Sequence, residues 1–333
     1  LSIRWEIFPR KSPTNRNTSG SSEESVPQKD PDEEEHLSQW RITVNPSANF
    51  LSQSDELRSL INRLSRSQKL VSPSEARYLC AGLQFLDTTS DLLLPLFTVI
   101  SNSTAFPANQ RIFLQCGITE RIVSMLKNSH AVMLLQCVAN MAVHNENDSI
   151  LKPAIPFIIK RLDSEVDLEG TVAFQALTNL SLNIAPSQIE IFRPTIQICL
   201  KKLWIKGEVN LSALRLLVNL SCCPNMVPYV LAAKVSCFIV LRGVTWLLCL
   251  SSAVDALSIT YDLIAPLNQD PFANPNYTIY FTIYALKGRK ELEKRLLELS
   301  RRKDEAATKS NCLLEILARI PVAFSSNSNL NHL

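Results

Sequence analysis

Four asparagines stand late in apolar, helix-like runs: Ile100-Ser101-Asn102, Val138-Ala139-Asn140-Met141-Ala142, Leu177-Thr178-Asn179-Leu180-Ser181 and Leu217-Val218-Asn219-Leu220-Ser221. They are separated by 38, 39 and 40 residues. Four positions before each stand Thr98, Gln136, Gln175 and Arg215. An asparagine side chain carries two donors and one acceptor, which suits it to holding a main chain and not to breaking bonds. Two roles are open. The amides can bind the backbone of an extended peptide, giving affinity without reading its side chains, or they can satisfy helix-end groups within each repeat. In either case equal offsets in successive units become a ladder on one face. The candidate groove is therefore Asn102, Asn140, Asn179 and Asn219 with Gln136, Gln175 and Arg215.

Catalytic chemistry finds little support in the same residues. There is no phosphate-binding glycine loop, nucleophile elbow or pair of zinc ligands. His144 lies near Glu146 and Asp148, but in a connecting stretch beside no nucleophile, so it reads as a loop histidine. The nine cysteines form no CxxC and mostly fall inside apolar runs, and the four histidines lie outside metal-ligand spacing. They read as buried free thiols in a reducing compartment. Sequons begin at Asn102, Asn179 and Asn219, where a packed repeat has no room for a glycan. No cofactor, metal or catalytic residue is expected, and an enzyme site hidden in the irregular 235–280 region is the rival reading.

The elements that position the ladder follow from its period. A polar residue recurring about every forty positions in otherwise apolar helices marks a helical solenoid, each unit burying its face against its neighbours. Only seven glycines in 333 residues, with 46% hydrophobic and 20% charged content, argue against a turn-rich β protein. The net charge of +3 is too small to imply nucleic acid. Helical spacing of Leu57, Leu60, Ile61 and Leu64 opens the array. Ser72-Pro73-Ser74-Glu75 then reads as a capping box with proline at the first helical position. Helices are expected near 74–86, 90–102, 107–115, 118–128 and 130–143. Further ones follow near 168–182, 192–204 with Pro194 early, 209–221, 288–302 and 305–320.

The run Gly117-Ile118-Thr119-Glu120-Arg121-Ile122-Val123-Ser124-Met125-Leu126, followed by the Asn140 helix, resembles the second and third helices of an armadillo repeat, with glycine making the turn. SPSEARYLCAGLQFLD at 72–87, the Ala108-Asn109-Gln110 step and ALRLLVNLSCCPNM at 213–226 resemble more particularly one domain. It is shared by the X-linked armadillo proteins of the mitochondrial outer membrane and the G-protein-coupled-receptor-associated sorting proteins. The likeness covers roughly residues 70–320 and weakens after Val235. It implies an armadillo-type right-handed superhelical solenoid acting as a non-enzymatic interaction scaffold. Relatives in the mitochondrial branch carry an N-terminal anchor and tether and expose the domain to the cytosol. They associate with Miro and trafficking-kinesin adaptors. A soluble cytoplasmic or nuclear adaptor of the receptor-sorting type is the alternative. Nuclear-import armadillo receptors place a tryptophan four residues before the asparagine. None of Thr98, Gln136, Gln175 and Arg215 is one, so that function is disfavoured, and Arg215 suggests a local preference for an acidic group.

Domain organisation is expected as a mostly disordered linker over 1–50, an armadillo domain over 51–321 that is irregular from about 235, and a disordered tail over 322–333. Residues 9–37 are rich in serine, proline and charge and offer too little apolar surface to offset ordering. The chain opens on Leu1, so any membrane anchor would precede this sequence. Counting 40 from Asn219 reaches Ile259, and a fifth anchor is absent. The stretch 235–254 is apolar enough to raise a membrane span, but Arg242 at its middle costs about 2.5–3.5 kcal/mol on insertion scales. A buried terminal repeat is the expectation. Residues 269–277 read as a loop, and 288–302 as a charged amphipathic helix capping the array.

Overall fold

A computed structural model describes residues 54–66, 70–127, 132–204, 207–234, 243–267 and 278–323. The regular elements among them are helical, apart from isolated bridging pairs at Lys234–Thr278 and Ala285–Ala323. In order they are α1 (Ser54–Arg66), α2 (Pro73–Phe85), α3 (Leu93–Thr104), α4 (Pro107–Gln115), α5 (Ile118–Leu126) and α6 (Val132–Met141). The short α7 (Asp148–Leu151) and α8 (Ile155–Ile159) lead to α9 (Asp167–Leu180), α10 (Ile189–Lys202), α11 (Glu208–Cys222) and α12 (Val227–Ala232). Then come α13 (Val244–Leu257), α14 (Tyr261–Ile264), α15 (Ile279–Tyr284), α16 (Leu286–Ser300) and α17 (Glu305–Arg319).

Helix starts follow local chemistry. The Ser72 hydroxyl accepts from Glu75 N at 3.3 Å, the Glu75 carboxylate accepts from Ser72 N at 2.8 Å, and Pro73 occupies the first turn, so the expected capping box is present. Gly117 takes φ 77°, the left-handed conformation that lets α4 turn directly into α5 and that side chains rarely adopt. The third helix of each unit buries its apolar stripe. Leu135, Val138 and Ala139 in α6, Ala173, Ala176 and Leu177 in α9, and Ala213, Leu216 and Leu217 in α11 are all fully buried. These helices pack in succession: α3 on α6, α6 on α9, α9 on α11, α11 on α13, and α13 on α17. Each unit therefore completes its core only with the next.

Helix bounds change in detail. Helix α10 begins at Ile189, three residues before the expected Phe192, so Pro194 lies inside the helix and not at its start. The Gln188 side chain, accepting from Ala185 N at 3.0 Å, sets this earlier start. Pro194 lies on the exposed side of the helix, so its missing N–H leaves only a solvent-side carbonyl unbonded. The end of the anchors and a buried terminal repeat were both expected. The asparagine ladder stops at Asn219, yet the stacking continues through α13, where Trp246 is fully buried and donates from Nε1 to Ser221 Oγ at 2.9 Å. A large indole here does what a small amide does in earlier units.

Leu247, Leu250 and Val254 of the apolar stretch are likewise buried in α13. Among the described residues no single helix is long and apolar enough to cross a membrane; α13 and residues 261–267 pass such a test together but bend by 104°. Residues 235–242 of that stretch, the linker at 9–37 and the whole of 1–50, the loop at 269–277 and the tail from 324 lie outside the described residues. Helix α16 starts at Leu286, ahead of the expected Gly288, because Thr278 caps α15 and the chain re-enters a helix at Ala285. The Thr282 backbone approaches Gly288 so closely that a Cβ would collide with it. Buried Arg289 closes the array by donating to Ile320 O at 2.5 Å, to Leu317 O and to Glu293 at 2.9 Å, satisfying the last carbonyls of α17.

Candidate functional site

The anchor asparagines form a continuous series across the unit boundaries. Asn140 Nδ2 donates to Ser101 O at 3.1 Å, Asn179 Nδ2 to Ala139 O at 2.8 Å and Asn219 Nδ2 to Thr178 O at 2.7 Å. In each case the acceptor is the residue just before the previous anchor. The amide thus reaches an under-bonded carbonyl in the last turn of the preceding third helix. The helix-end role is real at three of the four anchors, and it acts between repeats, not within one.

The anchors differ in what remains open. Asn140 is 7% exposed and is used completely: Nδ2 also donates to Thr104 Oγ1 at 3.1 Å, and Oδ1 accepts from Gln136 Nε2 at 3.0 Å. Asn179 and Asn219 are half-buried. Asn219 has a further bond to Ser181 Oγ at 3.3 Å, while the Oδ1 of both accepts nothing from the described residues. Gln175 is half-buried and, unlike Gln136, does not bond its anchor; Arg215 is half-buried and has no carboxylate partner among the described residues. Asn102 is exposed on α3.

Around these amides several outward positions are apolar and exposed, among polar ones such as Asp91, Thr171 and Glu208. Positions eleven, eight and four before an anchor fall on one helix face at about 100° per residue, and the third residue after it lies at or just past the helix end. At three after, Ala105, Val143, Leu182 and Cys222 are all exposed, Val143 by 54% and Leu182 by 58%. On the other side Leu94, Leu168 and Leu211 are exposed by 63%, 58% and 48%. The arrangement is a polar spine flanked by two apolar rows, which can pair with a peptide backbone while covering its apolar side chains.

A second set of amides, which the sequence reading did not single out as functional, sits behind this face. Asn109 donates to Ser103 O at 3.2 Å and accepts from Val71 N at 2.9 Å. Gln110 Nε2 donates to Thr104 O at 2.7 Å and to Asn140 O at 3.2 Å, and its Oε1 accepts from Asn147 Nδ2 at 3.1 Å. Asn147 also donates to Met141 O at 2.9 Å. All are buried, and they close the ends of α3 and α6. The available signal was Asn109-Gln110 just after a helix-opening proline.

His144 is half-buried on the connection from α6 to α7, and Glu146 pairs with Arg111 at 3.5 Å. Among the described residues no group of three or more His, Cys, Asp or Glu side chains is placed to hold a metal ion. The cysteines are less uniform than expected. Cys137 and Cys199 are buried, and burial pushes the Cys137 thiol up to about 12. Cys222 and Cys312 are exposed, because each falls on the outward face of its helix, and Cys80, Cys116, Cys223 and Cys249 lie between these extremes.

A stack of apolar helices with one anchored amide per unit defines a helical-repeat protein. A family model described as armadillo-like matches residues 75–241, half of the chain, and the chain belongs to that armadillo-like family. Its fold resembles that of an engineered protein at TM-score 0.54 and 17% identity, covering 85% of this chain and 68% of that one. A second engineered protein gives 0.50 at 13% identity over 73% of this chain and 98% of the other. A designed armadillo repeat protein in complex with the peptide (KR)4 gives 0.46 at 15% identity, over 85% and 98%. No curated protein matches the sequence. Armadillo solenoids are generally protein-interaction scaffolds, and no enzymatic family is indicated.

Proposed function

We propose that the outward face of α3, α6, α9 and α11 binds an extended peptide segment of a protein partner. The observation that carries this is the half-used state of Asn179 and Asn219. Each spends its Nδ2 on the preceding unit, Asn179 with one bond and Asn219 with two, and its Oδ1 accepts nothing from the described residues, in half-buried side chains one unit apart. An acceptor held rigidly in this way suits the N–H of an extended chain, and Gln175 and Arg215 stand beside it with open donors. Asn140 and Gln136 serve the packing behind this face, while Asn102 extends it toward α3. The exposed rows of Leu94, Leu168, Leu211, Val143 and Leu182 favour a segment with apolar side chains on both edges.

Peptides selected from a displayed random library against the intact chain provide the test. Replacing Asn179 and Asn219 together by alanine is expected to weaken their binding by about 2–4 kcal/mol, taking ~1–2 for each hydrogen-bonding side chain lost. Because the same amides bridge units, the double variant is also expected to lose about 1–3 kcal/mol of stability. Affinity is therefore compared per folded molecule. Equal affinity on that basis, whatever the stability, overturns the groove.

The likeness in 72–87, Ala108-Asn109-Gln110 and 213–226 supports a finer reading as a cytosol-facing adaptor at the mitochondrial outer membrane. There it would affect mitochondrial transport or distribution through partners such as Miro and trafficking-kinesin adaptors. Fractionation of cells expressing the natural protein is expected to recover it with mitochondria and to leave it open to protease added outside them. Recovery in the cytoplasmic or nuclear soluble fraction instead selects the receptor-sorting type of adaptor.

A further inference from the structure

We propose that Cys222 and Cys249 are a peroxide-sensitive thiol pair that closes to a disulfide between α11 and α13. The two helices pack directly on one another, and the Trp246 indole bonded to Ser221 at 2.9 Å fixes their register. Cys222 follows Ser221, and Cys249 lies one turn beyond Trp246 on α13, which places both along the edge of the same seam. Cys222 is exposed and open to a small oxidant, while Cys249 is partly covered beneath it.

The electrostatics of the pair agree with the geometry. The two thiols act on one another: the neighbouring Cys249 thiol holds Cys222 below the ordinary thiol range, and Cys222 together with burial pushes Cys249 upward. Lys309, anchored to Thr245 Oγ1 at 3.0 Å and Glu305 at 2.9 Å, is the nearby cation acting on Cys249. Cys222, the exposed member that an oxidant can reach, is the attacking thiolate, and the more covered Cys249 is the resolving thiol. The other thiols differ: Cys137 and Cys199 are buried, and Cys80, raised by burial and by the neighbouring Cys116, and Cys116, raised by burial, are both part-covered, so neither is exposed as Cys222 is.

The oxidant is hydrogen peroxide. The Cys222 thiolate attacks one peroxide oxygen, an S–O bond forms as the O–O bond breaks, and the departing oxygen takes up a proton as water. Cys249 Sγ then attacks the sulfenic sulfur. The S–S bond forms, the S–O bond breaks, and the hydroxide leaves with the Cys249 proton as a second water. Two thiols lose two electrons and two protons, and one peroxide becomes two waters. The pair sits at the end of the exposed row that includes Val143 and Leu182, so oxidation stiffens that end of the face. The thiol chemistry itself stands whether or not the face binds a peptide.

Peptide mapping of the intact chain tests this, with a Cys223→Ser variant separating the adjacent thiols. After one equivalent of hydrogen peroxide and alkylation of remaining thiols, the expected product is a cross-linked pair of peptides containing Cys222 and Cys249. Its mass is two hydrogens below the sum of the reduced peptides, and dithiothreitol reverses it. Exposed Cys312 should remain alkylated in the same sample. In Cys249→Ser the disulfide should vanish, and Cys222 should be captured by dimedone as a sulfenic acid. Full alkylation of both Cys222 and Cys249 after peroxide, or a disulfide joining Cys222 to Cys237, overturns the proposal.

Discussion

Replacing Gln110 by leucine is expected to lower the stability of this protein by about 3–5 kcal/mol, although the two side chains are close in volume and the site lies away from the candidate groove. Gln110 is 4% exposed and makes bonds to Thr104 O at 2.7 Å, Asn140 O at 3.2 Å and Asn147 Nδ2 at 3.1 Å. Leucine removes the bridging amide and leaves its partners buried. Asn147 keeps its bond to Met141 O, and the Thr104 and Asn140 carbonyls lie at the ends of α3 and α6. A buried polar group stripped of its partner costs about 1–3 kcal/mol, and two or three are affected at once. Packing is nearly conserved, so the loss reports hydrogen bonding and not a cavity. Urea unfolding of Gln110→Leu beside Gln115→Leu gives the comparison. Gln115 is exposed on the same helix, and its substitution should stay within about 0.5 kcal/mol of the parent. Equal midpoints for both variants would show that the network contributes no net stability.

The same residues mark how far the sequence could be read. The third helices were legible because apolar spacing and the forty-residue period are local signals, and Gly117 and Ser72 announce their turn and cap through backbone chemistry alone. What the anchor asparagines do was not legible. The sequence shows equal offsets, but the partner of Asn179 is a carbonyl 40 residues away, and only the packing of α9 on α6 brings the two together. The difference between Asn140 and Asn179 depends on whether Gln136 or Gln175 turns back toward its anchor, which the identical residue types conceal. After Asn219 the helices stayed legible, but the group that replaces the anchor did not. Their contact is made by Trp246, so the polar marker disappears while the stacking persists. Cys222 was missed because an apolar run was taken as buried throughout, whereas every third or fourth position of an outer helix faces solvent.

Glu169→Ala is expected to cost about 3–5 kcal/mol, as large an effect as any single substitution outside the apolar core. Glu169 and Arg161 pair at 2.6 Å with side chains only 9% and 10% exposed. Arg161 also donates to Leu126 O at 3.3 Å, the last residue of α5, and Ser164 Oγ donates to Glu169 at 2.5 Å. The pair thus ties the carboxyl end of one helix to the first turn of α9, with each charge at the helix end whose dipole favours it. Losing the carboxylate takes a hydrogen-bonded counter-charge from a nearly buried guanidinium, which costs more than the loss of attraction itself. A variant that removes both charges, Arg161→Met with Glu169→Leu, should therefore be more stable than Glu169→Ala alone, even though it carries one more change. Leu126 O and Ser164 keep it below the parent. Equilibrium unfolding of Arg161→Met, Glu169→Leu and the variant carrying both closes a double-mutant cycle. Additive losses would mean that each residue acts through separate contacts, and a coupling of 1 kcal/mol or less would assign the tie between α5 and α9 to Leu126 O and Ser164 instead of the ion pair.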